Sequence, residues 1–427
     1  MSFVASKIKS LRKNQFFKNV AVLSSGTAVA QLLLPLASLW ILSRLYGPEL
    51  QGVYGIYVSI TGITQQIACF RYDYAIVVVD SDEEAGGAFV LSAALAVLFS
   101  ALIGLAMWPF IPSLGAALRL TGGAEHTLWM VPLTTFICGL TNALNYYNVR
   151  FEKYKVISIS NIIRVSVMVV AQIGLAFLGF GYWGLIVGQF LSFFFGNLRM
   201  LMTLKGRVHR SMFRISFLKK VARKNVVYPK YMLPSAIANN LAINMMGVFT
   251  QMNYGGVMNG YYSLINRILG QPLQLISNAV SQVFLQGASA DKHNGKKLSK
   301  TFASTTKWLL IISIFPFGVL LLWGEPIISR FLGEEWMPMA EYLRYLIPLF
   351  MVRFVVMPLI NSAIALGRQK ATMVWQFFLL TMVLIPSLLT IVIPMTYTQY
   401  LLAASLPMAA AYLIFYRFCQ KIVKSTA

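Results

Sequence analysis

Long apolar runs recur along the whole chain, separated by short polar stretches. A run of about 20 apolar residues, coiled as an α-helix, covers the roughly 30 Å of hydrocarbon in a bilayer. The pattern predicts twelve spans, at 20–43, 52–78, 87–112, 127–149, 156–178, 181–203, 228–251, 256–286, 308–329, 339–366, 372–393 and 396–417. Membrane β-barrels are built instead from short strands of alternating apolar and polar residues. The fold class this predicts is an all-α polytopic membrane protein.

Composition agrees. The 427 residues are 58% hydrophobic and only 11% charged, with a mean hydropathy of +0.68. Soluble domains carry about 25% charged residues. The net charge of +23 would suit a nucleic-acid binder, but its distribution assigns it to topology. Basic residues crowd alternate loops: Lys7, Lys9, Arg12, Lys13 and Lys18 before the first span, and Lys205, Arg207, Arg210, Arg214, Lys219, Lys220, Arg223 and Lys224 in the loop 204–227. The intervening loops and their edges hold only Arg44, Arg119, Arg330 and, near the start of the span 339–366, Arg344. Cytoplasmic loops collect Lys and Arg, so both termini are expected in the cytoplasm. The acidic stretch DSDEEAGG at 80–87 falls on the cytoplasmic side, and acidic residues weigh little in this rule.

The chain also repeats itself. Residues 27–66 align without gaps with 235–274, and the identities include Tyr46/Tyr254, Gly47/Gly255, Gly52/Gly260, Tyr54/Tyr262 and Gln66/Gln274. The offset skips six spans, an even number, so both halves enter the membrane in the same orientation. The expected organisation is a six-helix lobe at 1–203, a basic linker at 204–227 and a second six-helix lobe at 228–427, related by a parallel pseudo-two-fold repeat. In repeat-built transporters the substrate site lies where the repeats meet, near the bilayer midplane. The glycines of SRLYGPELQGVYG (43–55) and of its echo QMNYGGVMNGYYS (251–263) are expected to serve chain reversal and close helix packing.

Candidate chemistry sits in the charges left inside the spans. Arg267 and Arg353 each lie about a dozen residues into a helix, too deep to reach the surface easily; an arginine facing lipid there costs about 2.5–3.5 kcal/mol. They are expected to line a wet cavity. Arg71 and Arg164 are further candidates, and Asp73 is a carboxylate within the second span, toward its cytoplasmic end. Surplus positive charge in a cavity selects an anion, and the planar guanidinium fork suits phosphate. Gln31, Asn239, Asn240 and Asn244, in the first helices of the two halves, offer amides for sugar hydroxyls. The scattered Cys69, Cys138 and Cys419 and three histidines form no metal-ligand pattern. No GxxxxGK[ST] phosphate loop occurs, so ATP hydrolysis by that route is excluded.

SSGTAVAQLLLPLASLWILSRLYGPELQGVYGIYVSI and the following FRYDYAIVVVDSDEEA resemble the opening of the Wzx-type polysaccharide (O-antigen) repeat-unit flippases. These belong to the multidrug/oligosaccharidyl-lipid/polysaccharide exporter superfamily. The specific resemblance covers roughly the first 85 residues, while the two-lobed pattern fits the rest. It implies translocation of an undecaprenyl-diphosphate-linked oligosaccharide across a bacterial inner membrane for lipopolysaccharide or other surface polysaccharide. It also implies coupling to a proton or sodium gradient, with Asp73 as the ion-coupling candidate, and no other cofactor. Membrane lipids, a polysaccharide polymerase and a chain-length regulator would be partners; nucleic acid would not. The rival readings are a cation-coupled multidrug exporter of the same superfamily, disfavoured by basic cavity candidates and an acid-free first span, and a membrane enzyme of the same pathway, disfavoured by short external loops.

Overall fold

The computed structural model describes residues 34–205, 208–270, 272–274, 276–277, 280, 298–365 and 368–425. Gln31 lies outside them. The described chain is helical and contains no strand. In chain order the main helices are α1 (Leu34–Leu45), α2 (Pro48–Ile67), α3 (Ala75–Val78), α4 (Asp82–Met107), α5 (Ile111–Ala117), α6 (Met130–Arg150), α7 (Tyr154–Phe177), α8 (Tyr182–Leu201), α9 (Ile215–Lys224), α10 (Leu233–Tyr254), α11 (Gly256–Ile265), α12 (Leu298–Leu332), α13 (Met339–Ala365), α14 (Gln369–Val392) and α15 (Tyr397–Ser425).

Among the described residues, eight helical segments are long and apolar enough to cross a membrane. They correspond to the predicted spans three to six and nine to twelve. α2 and α10 are long enough but not apolar enough to be among them. Gln51, Ser59, Thr61, Gln65 and Gln66 dilute one, and Asn239, Asn240, Asn244 and Gln251 the other. Helices of that kind need polar surroundings or partners inside a membrane.

Two departures from the predicted spans have identifiable causes. The span expected at 52–78 breaks after Ile67: Phe70 and Arg71 adopt positive φ, a 3₁₀ turn covers Tyr72–Tyr74, and α3 follows. Tertiary contacts hold the break, with the Cys69 thiol donating to the Gly139 carbonyl and the Tyr72 hydroxyl to the Ala222 carbonyl. The acidic stretch at 80–87 begins α4. Ser81 caps it by accepting from the Glu84 amide at 3.1 Å, and Asp82, Glu83 and Glu84 fill the first turn, where negative charge complements the helix dipole.

The chain divides into two compact units. One contains Thr64–Phe110, Thr127–Pro234 and the described residues before Leu39; the other contains Leu39–Ile63, Ile111–His126 and Ser235–Ala427. In the first, Ala75, Ile76, Ala88, Phe89, Leu144 and Tyr147 form a core. In the second the core is larger and aromatic, with Trp375 stacked on Phe415 and set edge-on to Tyr412.

Within the second unit the two copies of the repeat meet. A Cβ on Gly52 of α2 would overlap the carbonyl oxygen of Gly256, and a Cβ on Gly260 of α11 would overlap that of Pro48. The four positions are related by the same 208-residue offset. Only glycine lets two helix backbones approach so closely. Asn259 Nδ2 adds donation to the Gly52 carbonyl at 2.8 Å and to Gln251 Oε1 at 3.1 Å. Gly255 turns the chain between α10 and α11 with φ +88. The repeat's glycines thus serve close packing and chain reversal, as expected.

Candidate substrate-binding site

Arg267 and Arg353 are both buried in the second unit, each about 8% exposed. Arg267 sits in a π-helical turn, Asn266–Gly270, that continues α11. Pro272 supplies a reason: it has no N–H to return to the carbonyl four residues back, so the regular ladder fails there. Neither terminal nitrogen of Arg267 has a hydrogen-bond partner among the described residues.

Arg353 lies in the middle of α13, between Pro348 and Pro358. Its guanidinium faces the rings of Phe350 at 5.4 Å and Tyr412 at 5.9 Å, and its Nε has no hydrogen-bond partner among the described residues. Cation–π contacts offset part of the desolvation of such a group. Among the described residues, neither arginine forms an ion pair.

The repeat links the two. Tyr54 interacts electrostatically with Arg267, and its repeat mate Tyr262 with Arg353. Tyr262 also shares a side-chain hydrogen bond with Asn266, directly before Arg267. The arginines are visible in the sequence as charges within apolar runs, whereas Phe350 and Tyr412 do not stand out from the other aromatic residues of the spans. For Tyr54 and Tyr262, which sequence reasoning also missed as site residues, their identity in the repeat is the signal available.

The carboxamides of α10 are half-buried. Asn240 Nδ2 donates to the Ala236 carbonyl and Asn244 Nδ2 to the Asn240 carbonyl, each at 2.9 Å. Each thereby commits one amide hydrogen to its own helix. Gly62 leaves room for Asn244, whose Oδ1 lies 3.2 Å from where a Cβ would stand. Asn239 is half-buried on the same helix.

The remaining candidates belong to the first unit. Arg71 donates to Gln66 Oε1 at 2.7 Å and faces the Tyr74 ring. Asp73, two residues on, is buried, and its Oδ1 has no hydrogen-bond partner among the described residues. Arg164 of α7 lies 4.2 Å from the Phe193 ring centre, and its Nε has no hydrogen-bond partner among the described residues. Gly196 of α8 makes its room, since a Cβ there would overlap the Arg164 stem.

Residues 41–341 match the family model described as "Polysaccharide biosynthesis protein". The chain belongs to the polysaccharide biosynthesis protein family. No curated protein matches it. Among solved structures, an inward-facing multidrug resistance MATE family transporter of the MOP superfamily is similar at a TM-score of 0.71 and 16% identity, over 95% of this chain and 96% of that one. A MOP superfamily transporter from Pyrococcus furiosus, whose binding pocket is described as having reverse polarity suggesting a different function, gives 0.61 and 15% over 96% of each chain. An outward-facing MATE transporter gives 0.60 and 16%, again over 96% of each. The fold of this polysaccharide biosynthesis protein is therefore that of these transporters, the twelve-helix membrane architecture expected of the sequence. The solved structures that share this fold are described as membrane transporters.

Proposed function

We propose that the protein is a flippase moving an undecaprenyl-diphosphate-linked oligosaccharide from the cytoplasmic to the outer leaflet of the bacterial inner membrane, with both termini in the cytoplasm. The observation that carries this reading is the pair Arg267 and Arg353: two buried guanidinium groups, one in the π turn that continues α11 and one in the membrane-length helix α13, without carboxylate partners among the described residues. An unpaired buried cation is costly, and a diphosphate or an acidic sugar supplies the missing charge. Tyr54 and Tyr262 add hydroxyls beside the arginines. The amide oxygens of Asn240 and Asn244 suit sugar hydroxyl donors. Membership of a polysaccharide biosynthesis family supports the substrate class.

In this reading the lobes 1–203 and 228–427 alternate access around the linker 204–227. Asn239, Arg71, Arg164 and Gln31 are further contacts for sugar or diphosphate oxygens. Asp73, buried and incompletely partnered, is the residue for proton or sodium coupling. Lipopolysaccharide or O-antigen is the destination, with the polymerase and chain-length regulator downstream.

The test is transport of a fluorescent polyprenyl-diphosphate oligosaccharide in proteoliposomes. Arg267→Ala and Arg353→Ala should each abolish it while inserting and purifying as the parent does. Full transport by both variants overturns the assignment. Transport of cationic drugs but not of the lipid-linked sugar by the parent protein would support the multidrug exporter instead.

A further inference from the structure

The linker predicted as a loop at 204–227 contains α9, whose sequence ISFLKKVARK is strongly amphipathic. One of its faces is accounted for. Val221 is buried and Phe217 half-buried against the start of α4. A Cβ on Gly87 would overlap the Phe217 ring, and one on Gly86 the Met212 thioether. Lys224 Nζ closes the contact, 2.8 Å from Glu84 Oε2 and 3.3 Å from Asp80 Oδ2.

This docking fixes the depth of α9. Asp82–Glu84 form the first turn of the membrane-crossing segment Asp82–Ala117, and the α4 sequence is uncharged beyond them. That turn marks the boundary between water and hydrocarbon, and α9 lies against it. Both ends of the linker also run into helices of the bundle, α8 and α10.

The opposite face of α9 is uncovered among the described residues. Ile215, Lys219 and Arg223 follow one another at four-residue spacing, which aligns them along a single stripe. All three are exposed, and so are Arg210, Phe213 and Arg214 just before the helix. Phe213 is 60% and Ile215 77% exposed. Among the described residues none of these four cations forms an ion pair. Bulky apolar residues interleaved with unpaired cations at the membrane boundary are the composition of an interfacial helix that seats on anionic lipid.

We propose that this face, built from Arg210, Phe213, Arg214, Ile215, Lys219 and Arg223, is a binding surface for the anionic phospholipids of the cytoplasmic leaflet. Phe213 and Ile215 enter the headgroup–acyl boundary, and the four cations meet lipid phosphates. Lys224, facing the other way, holds the helix to α4, so that the linker is clamped between protein and leaflet. The inference does not depend on what the protein transports.

The experiment uses the full-length protein with a nitroxide on Ser216→Cys. Ser216 is exposed, whereas Cys69, Cys138 and Cys419 are all buried. The protein is placed in bilayers of phosphatidylcholine alone or of phosphatidylcholine with phosphatidylglycerol. With phosphatidylglycerol the label should be immobilised and its oxygen-to-nickel-chelate accessibility ratio should rise several-fold. High salt should reverse the change, since exposed charges are screened. The combined variant Arg210→Gln, Arg214→Gln, Lys219→Gln and Arg223→Gln should lose the response, and the charge-conserving Arg210→Lys, Arg214→Lys and Arg223→Lys should keep it. Identical label behaviour in both bilayers overturns the proposal, as does a full response from the glutamine variant. A response to added polyprenyl diphosphate or to an acidic soluble protein, but not to phosphatidylglycerol, overturns it too and assigns the surface to that ligand.

Discussion

Lys224 Nζ lies 2.8 Å from Glu84 Oε2, joining the last turn of α9 to the first turn of α4. The carboxylates of Glu84 and Asp80 hold the Lys224 ammonium's pKa above the usual lysine range. A raised pKa means the folded state binds this proton more tightly than the unfolded state does. The contact is therefore fully present below the ordinary lysine pKa and is lost as pH rises through the raised one. Lys224→Gln should speed hydrogen exchange across 215–224 at neutral pH, and in the parent protein the same protection should fall only in strongly alkaline buffer. Unchanged exchange in the variant would show that Phe217 and Val221 hold α9 alone.

Substitutions at the helix crossing should be costly because their neighbours are backbone atoms. Gly52→Val or Gly260→Val must push α2 and α11 apart, and overpacking of this kind costs about 1–3 kcal/mol. Thermal unfolding in detergent should show a lowered midpoint for both. At Gly174, where an added methyl would meet nothing within 4 Å, Gly174→Ala should be neutral or slightly stabilising, as removing a helical glycine generally is.

Stability and transport should move in opposite directions at Arg353. Arg353→Met keeps much of the side-chain length and removes a buried cation that has no carboxylate partner among the described residues. Replacing buried charge by apolar groups of similar volume is often neutral or stabilising, by about 1–4 kcal/mol. Thermal unfolding should thus occur at the same or a higher temperature, while flipping of the lipid-linked oligosaccharide disappears. A lower midpoint would show that the contacts with Phe350 and Tyr412 dominate instead.

Pro272 should control Arg267 from a distance of five residues. Pro272→Ala restores a backbone donor and lets the turn 266–270 return toward a regular α-helix, which would rotate Arg267 relative to Tyr54. Transport should fall although the new residue has no polar group, and a disulfide or spin-label distance across α11 should change with it. Unaltered transport would separate the π turn from function.

These features are unevenly legible in the sequence, and the differences have physical causes. The helix crossing shows through because Gly52 and Gly260 meet backbone, where no side chain can substitute, leaving an identity in both copies. Arg267 and Arg353 show through because charge inside an apolar run is costly. The break at Phe70–Tyr74 does not, since Cys69 and Tyr72 hold it by bonds to Gly139 and Ala222, far away in sequence. α9 is hidden because its strongly basic surroundings read as a solvated loop; its apolar stripe becomes meaningful only against Gly86 and Gly87. The aromatic neighbours of the arginines are masked by the general abundance of such residues in the spans.

The reciprocal contact of Gly52 with Gly256 and of Gly260 with Pro48 has an ancestral consequence. If the two copies descend from one duplicated segment, that segment had to be compatible with its own twin from the start. A bulky residue at this point in the ancestor would have collided twice, once on each side of the crossing. Later change is bound in the same way: a substitution in one copy strains a surface that the other copy helps to form. Elsewhere the halves differ: one carries two deep arginines beside its aromatic core, the other a buried carboxylate at a broken helix.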